Sequence, residues 1–403
     1  MKIEELKKAI AEVTEPRRPY GNIRHKLTDI IILGLCTVIC GGEDFNDMET
    51  FGLEREEWLK SFLELPNGIP DSDTFRRVFE RIDPKELSNC LTNWLAIERE
   101  ARSVVAIDGK TIRGSGNGKH KAYHVVSAFV AENQITLGQI TVEEKTNEIT
   151  AVPELLDILD VENAIVTADA MSCQKEITKK ITEKKADYVI ALKENQPALY
   201  EDSRLYFRDF LHQQPHEETL DKGHGRIERR TYYLLREPEK YWDYDWNAWT
   251  NLRGIGMVHS KVTENGVERE EKRYYITSLT DLHEFSHAVR KHWSIENQLH
   301  WCLDVIFRED AARAKKDNSP LNMNILRKLA LTLVNEAKFG RLSKKKMMFK
   351  AALNPVVLLS ISYSRKSKCC CGDNSGLGLA FFYPLCYTGF RNHINIHGKG
   401  KIA

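Results

Sequence analysis

The sequence predicts an α/β protein, with an α/β body preceded by an all-α amino-terminal domain. Three observations predict it. Residues 1 to about 100 carry apolar residues at helical spacing and no strand-like alternation. From Ser103 onward, short β-branched runs alternate with helical stretches. Two of those runs end on an acidic residue, Asp108 after Val104-Val105-Ala106-Ile107 and Asp169 after Ala164-Ile165-Val166-Thr167-Ala168.

At 403 residues the chain has room for two or three domains and a sizeable core. Its composition, 42% hydrophobic and 29% charged, is that of a globular rather than a disordered or fibrous chain. The net charge of +1 leaves no global basic signature, so any nucleic-acid surface must be local. The longest apolar run, Ile30 to Cys40, is too short to span a bilayer and too far inside the chain for a signal peptide. It reads as a buried helix, and a cytoplasmic protein without membrane contact is expected. Nine cysteines, an odd number without framework spacing, fit reduced thiols in that compartment.

Taken in order, Glu4 to Val13 is amphipathic, and Leu27 to Cys40 is a buried helix stopped by Gly41-Gly42. Phe45 to Leu63 reads as one helix, broken by Leu65-Pro66-Asn67-Gly68-Ile69-Pro70. Asp71-Ser72-Asp73-Thr74 caps the next helix, and Pro84 starts another that runs to about Trp94. Arg17, Arg18, Arg24, His25 and Lys26 make a basic cluster, equally a DNA-backbone candidate and a solvated face. Strands follow at Val104 to Asp108, Tyr123 to Val130 and Gln134 to Val142. Then come a helix at Pro153 to Leu159, a strand at Ala164 to Ala168 and a helix at Gln174 to Lys185. A strand at Tyr188 to Leu192 and a helix at Pro197 to Phe210 complete the series. The order β-β-β-α-β-α-β-α is the ribonuclease H-like order. It places Asp108 and Asp169 on adjacent central strands.

Residues 220 to 280 return to strand patterns at Arg229 to Leu235, Arg253 to Val262 and Arg273 to Ile276, with Asn265-Gly266 as a hairpin turn. They form a β-rich insertion ahead of a helix from about Leu282 to Ile306. On that helix Ile295, Leu299, Leu303 and Ile306 make the core face, with Trp293 and Trp301 also expected in the core. Glu296 lies beside that face. From Ala311 to Lys350 eleven Lys or Arg stand against two acids, Asp317 and Glu336. Charge runs are usually just solvated, but here Arg327, Lys328, Lys338, Arg341, Lys344, Lys345 and Lys346 are phosphate-contact candidates. Residues 363–403 lack a core pattern and read as an irregular, dispensable tail. A zinc site of Cys371, Cys386, His393 and His397 there lacks the CxxC pair such sites favour. The domains are therefore 1–100, 101–362 and the tail.

A strand-end Asp taken singly is equally a turn former or helix cap. Together, Asp108, Asp169 and Glu296 form the set of a two-metal phosphoryl-transfer site, since hard divalent cations take oxygen ligands. Asp304, Glu309 and Asp310 are the internal competitors for the third acid. Lys110, Arg113, Lys193 and Arg226 are candidates to neutralise phosphate nearby.

Ordered words carry a resemblance. They include Pro16-Arg17-Arg18, Gly21-Asn22-Ile23-Arg24-His25, Asp73-Thr74-Phe75, Ala106-Ile107-Asp108-Gly109-Lys110-Thr111 and Asp169-Ala170. Further on stand Leu192-Lys193-Glu194-Asn195-Gln196-Pro197, Gly223-His224-Gly225-Arg226-Ile227-Glu228, His292-Trp293-Ser294-Ile295-Glu296-Asn297 and His300-Trp301-Cys302-Leu303-Asp304-Val305. With these the chain resembles the DDE transposases of bacterial insertion sequences, in the H-repeat-associated branch. The resemblance covers about residues 10 to 362. It implies a ribonuclease H-like core whose Asp108, Asp169 and Glu296 are the catalytic, metal-binding triad. It implies Mg²⁺, with Mn²⁺ able to substitute, and two ions about 3.5–4 Å apart across the scissile phosphate. The partners implied are transposon ends and target DNA, bound by a homodimer in the nucleoid. DNA transposition would then proceed by cleavage at the ends and joining of the freed 3′-hydroxyl. One departure matters: many relatives carry Tyr and Arg before the catalytic Glu and Lys seven residues after it. Here those places hold His292 and Leu303, with Arg290 able to take the Arg role. Competing readings are a nuclease without strand transfer and an inactive DNA-binding relic.

Overall fold

The computed structural model describes residues 2–18, 23–95, 99–116, 121–142, 148–211, 215–223, 225–242, 246–337 and 341–363. The chain divides into residues 1–364 and 365–403, and the first unit is the one described. Gly21, Asn22, His224 and Lys338, the four expected zinc ligands and the tail from 364 onward lie outside the described residues.

Six helices come first: α1 (Lys2–Ile10), α2 (Leu27–Ile39), α3 (Phe45–Glu54), α4 (Glu56–Leu59), α5 (Ser72–Phe79) and α6 (Pro84–Leu95). Their ends follow from local chemistry. Helix α2 stops where Gly41 adopts a left-handed φ of 94° and the Gly42 N–H donates back to the Thr37 carbonyl. The Asp44 carboxylate caps α3 and Asp47 completes a capping box. The single helix expected over Phe45 to Leu63 is two, because Arg55 (φ −123°) leaves helical geometry between α3 and α4.

Nine strands then form one mixed sheet. They are β1 (Val104–Thr111), β2 (His124–Val130), β3 (Ile135–Val142), β4 (Ile165–Ala168), β5 (Asp187–Leu192), β6 (His216–Gly223), β7 (Arg226–Arg236), β8 (Gly254–Glu264) and β9 (Val267–Thr277). Their spatial order is β3-β2-β1-β4-β5-β9-β8-β7-β6. Among the described strands, β1–β4 and β4–β5 alone pair in parallel. The β-rich insertion extends the central sheet, since β9 pairs antiparallel with β5. Strand β6 was not expected, because it carries charges rather than alternating apolar residues and is the exposed edge.

The helices after the meander are α7 (Glu148–Ile158), α8 (Lys175–Glu183), α9 (Pro197–Phe210) and α10 (Leu282–His292). Helix α7 starts five residues before the expected Pro153, which lies inside it. Val105 and Ile107 of β1 join Val166 and Ile190 in one apolar layer with Leu155, Ile177 and Phe207 of α7 to α9. On the other face Val104, Ile165 and Val189 pack with Phe285, Ala288 and Val289 of α10. This alternation along β1 is the period of two that a strand imposes. The winding changes after α10: Ile295–His300 and Cys302–Ile306 are π-helical. Helices α11 (Ser319–Glu336), α12 (Lys344–Leu353) and α13 (Pro355–Tyr363) follow. Every residue from Ser319 to Val334 is buried. Helix α11 runs through one apolar cluster that also holds Ile31 and Leu35 of α2, Phe75 and Phe79 of α5, and Ile295 and Leu299.

Candidate active site

Parallel pairing of β1 with β4 sets Ile107 opposite Ala168, so Asp108 and Asp169 are the next residues on adjacent strands. Asp169 leaves the sheet at once. Its carboxylate accepts from the Met171 N–H at 3.0 Å and caps a short turn, Ala170–Ser172. That turn is buttressed from the Lys193-Glu194-Asn195-Gln196 word. Asn195 donates to the Ala170 carbonyl at 2.7 Å and Gln196 to the Cys173 carbonyl at 2.9 Å. Glu296 lies in the first π-helical turn and is exposed. Asp108 feels the other acids: burial pushes its carboxyl up to about 7, and Asp169, Glu148 and Glu296 add to the rise against the Gly109 N–H.

Three side chains at this site were given no role in the sequence reading. Glu148, 4% exposed at the start of α7, meets His124 of β2 with Oε1 2.6 Å from Nε2. The His124 Nδ1 in turn lies 2.9 Å from the Thr111 hydroxyl. The pair packs on the backbone beside Asp108. A Cβ on Gly109 would stand 2.4 Å from His124 Nε2 and 2.5 Å from Glu148 Oε1, so the Asp-Gly word needs its glycine here. His300, four residues after Glu296, places Nδ1 3.5 Å from Asp108 Oδ2. Burial lowers this imidazole to about 3, so it is neutral. Its Nε2 is buried without a hydrogen-bond partner among the described residues. No local spacing rule marks Glu148 or His124 as neighbours of Asp108; they reach it through the meander and the start of α7.

The competing acids turn elsewhere. Lys110, 10% exposed, points its Nζ at Asp304 (2.7 Å), Glu309 (3.1 Å) and Asp310 (3.6 Å). Glu309 is fully buried, accepts from Asn324 Nδ2 at 2.8 Å and lies 3.7 Å from Arg327. Gly114 packs on the Glu309 carbonyl, where a Cβ would stand at 2.7 Å. Arg327 and Lys328 are likewise internal rather than phosphate contacts. Lys328 donates to Ser127 at 2.7 Å and Gln139 at 2.6 Å, and burial lowers its ammonium to about 7. Among the other cationic candidates, Arg113 is 82% exposed beside Asp310, Lys193, Lys345 and Lys346 are exposed, and Arg226 pairs with Glu228 at 2.9 Å. Arg290 pairs with Asp221 at 2.6 Å, while Lys344 is half-buried and reaches Gln134 at 3.4 Å. Arg341 is exposed. Trp301, expected in the core, is 53% exposed, and Trp293 lies under the Arg273 guanidinium at 4.6 Å.

A family model described as "Transposase DDE domain" matches residues 99–333, and one described as "DDE_Tnp_1-associated" matches residues 7–95. The chain belongs to the DDE transposases, in the H-repeat-associated branch. It is 39% identical over 365 residues to "Putative transposase YncI" of Escherichia coli O157:H7, covering 88% of this chain and 93% of that one. It is 35% identical over 374 residues to "H repeat-associated putative transposase YhhI" of Escherichia coli strain K12, covering 90% and 98%. A shorter match, 41% over 76 residues, covers 18% of this chain and 90% of "Inactive transposase YbfQ" of strain K12. Enzymes of this family generally use divalent metal ions and act on DNA. Among the described residues no three His, Cys, Asp or Glu side chains are gathered into a formed metal cage, and no helix is long and apolar enough to cross a membrane. The donor chemistry nonetheless fits a hard cation: oxygen ligands from three elements whose charges oppose one another at Asp108.

Proposed function

We propose that the chain cuts DNA at transposon ends and joins the freed 3′-hydroxyl to target DNA, with Asp108, Asp169 and Glu296 as its catalytic acids. The observation that carries this is the β1–β4 register, which brings Asp108 and Asp169 side by side at the centre of the sheet with Glu296 close enough to raise the Asp108 carboxyl. The strand and helix order from β1 to α9 supports a ribonuclease H-like core. The domain reading is an amino-terminal helical domain over 1–100 and a catalytic domain over 101–362 acting in the cytoplasm as a homodimer on DNA.

Asp108, Asp169 and Glu296 would hold Mg²⁺ or Mn²⁺, which when bound supplies an activated water and stabilises the leaving oxygen. The chain's own part is to aim and insulate. Strands β1 and β4 fix the two aspartates in register, and the Asn195 and Gln196 amides hold the turn behind Asp169. His124 and Thr111 hold Glu148 beside Asp108, adding a negative charge that favours a bound cation. Exposed Arg113, Lys193, Lys345 and Lys346 are the cations best placed to meet phosphates without breaking an interior pair; Lys110 is not.

The test is a DNA fragment carrying the inverted repeats that flank the reading frame, incubated with protein and Mg²⁺ or Mn²⁺. Nicking plus strand transfer from a pre-cut end is the expected result. Nicking without transfer selects a nuclease, and binding without nicking selects an inactive relic.

A further inference from the structure

We propose that Lys110 and His292 are positioning residues that clasp the two ends of the Glu296 segment to β1 and β4, the strands that set the two aspartates; the catalytic consequence rests on the metal-dependent reading above. Glu296 is exposed, and no hydrogen bond fixes its carboxylate among the described residues. Its location is therefore set by the backbone that carries it. That backbone is π-helical, a wide winding that rarely persists unless its surroundings hold it.

Both ends are held. His292, the last residue of α10, sets its Nδ1 3.0 Å from the hydroxyl of Thr167. Thr167 is 1% exposed in β4, two residues before Asp169. Burial lowers the imidazole to about 4, so the link is a neutral hydrogen bond. At the far end Asp304, in the second π-helical stretch, and Glu309 and Asp310, just beyond it, converge on Lys110. Lys110 stands in β1, two residues after Asp108. The segment is thus tied to β4 four residues before Glu296 and to β1 eight residues after it. The two ties reach the same two strands that carry the aspartates. Lys110, facing three carboxylates and 10% exposed, has no free donor face for a DNA phosphate.

The experiment is hydrogen exchange on the full-length, metal-free protein, comparing Thr167→Val, Lys110→Met and His292→Asn with the parent. Thr167→Val and Lys110→Met should speed exchange of residues 295–306 by about five- to tenfold, the scale of one lost interior hydrogen bond. His292→Asn keeps a polar atom near the Nδ1 place and should stay within about twofold of the parent. Unchanged exchange in 295–306, or an increase spread evenly over the sheet, would overturn the clasp. Thr167→Val removes one hydroxyl and keeps the test readable if Lys110→Met does not fold. A second arm measures DNA affinity against salt: the Lys110→Met slope should equal the parent's, and a loss of about 0.9 would make Lys110 a phosphate contact instead. A third arm is Mn²⁺ titration by calorimetry, where Thr167→Val and Lys110→Met should bind more weakly than the parent. If the parent binds no Mn²⁺, the metal-dependent reading falls, while the exchange result still decides the clasp.

Discussion

At the residue scale, Asp108 is the most constrained side chain of the site. It is half-buried on its own strand, feels two other acids and a buried Glu148, and has a neutral imidazole rather than a cation nearby. Asp108→Asn, Asp169→Asn and Glu296→Gln keep shape and remove charge. Each should cut Mg²⁺-dependent nicking by about two to three orders of magnitude, the loss typical of removing one preorganised charged group, with an unchanged circular dichroism spectrum. Asp304→Asn is the comparison: its partner is Lys110, so nicking should survive within about tenfold, and full activity of Glu296→Gln would sink the triad. Gly109→Ala makes a structural prediction. Its Cβ would collide with His124 and Glu148, so urea unfolding should show a loss of about 1–3 kcal/mol, as for overpacking. The adjacency of Asp108 and Asp169 was legible because each follows a local apolar run, and the β1–β4 pairing sets those runs side by side. Glu148 was not, because its approach to Asp108 depends on where the meander and α7 meet.

Elements were legible where their apolar pattern matched one winding, as in α2, α9 and β5. They were missed where the pattern fits two. Ile295, Leu299, Leu303 and Ile306 suit an α-helix as well as the π-helical turns found. Strand β6 has no apolar alternation to read, and α7 begins before the proline that suggested its start. The basic run shows the same limit, since charge counts do not say which face a helix buries. Arg327 and Lys328 are spent inside, and Lys344 is half-buried. The DNA prediction therefore narrows to Lys345 and Lys346, exposed in the first turn of α12. If both meet duplex phosphates, the double change to Ala should lower the slope of log K against log salt by about 1.8. Equal slopes would assign them to solvent.

At the scale of the whole described unit, the helical amino-terminal region and the α/β body share a core. Helix α11 is buried on every side, and its apolar residues join those of α2, α5 and α6 in one cluster. Polar residues of α11 and of the turn before it are tied across the same boundary: Asn322 donates to the Phe79 carbonyl at 2.8 Å, and Lys316 pairs with Glu80 at 2.9 Å. Sequence periodicity separated the two regions correctly as helical and mixed, but periodicity carries no information on which apolar faces meet. Residues 99–363 alone would expose the α11 face that α2 and α6 cover, together with the buried Asn322 amide left without its carbonyl acceptors. That fragment should aggregate or bind a hydrophobic dye, and should show no sharp unfolding transition. Co-expression with residues 1–95 should restore solubility if the shared core is what holds the unit together. A 99–363 fragment that unfolds cooperatively, with its stability unaltered by the 1–95 fragment, would show instead that the α/β body carries its own core and that the amino-terminal helices only rest on it.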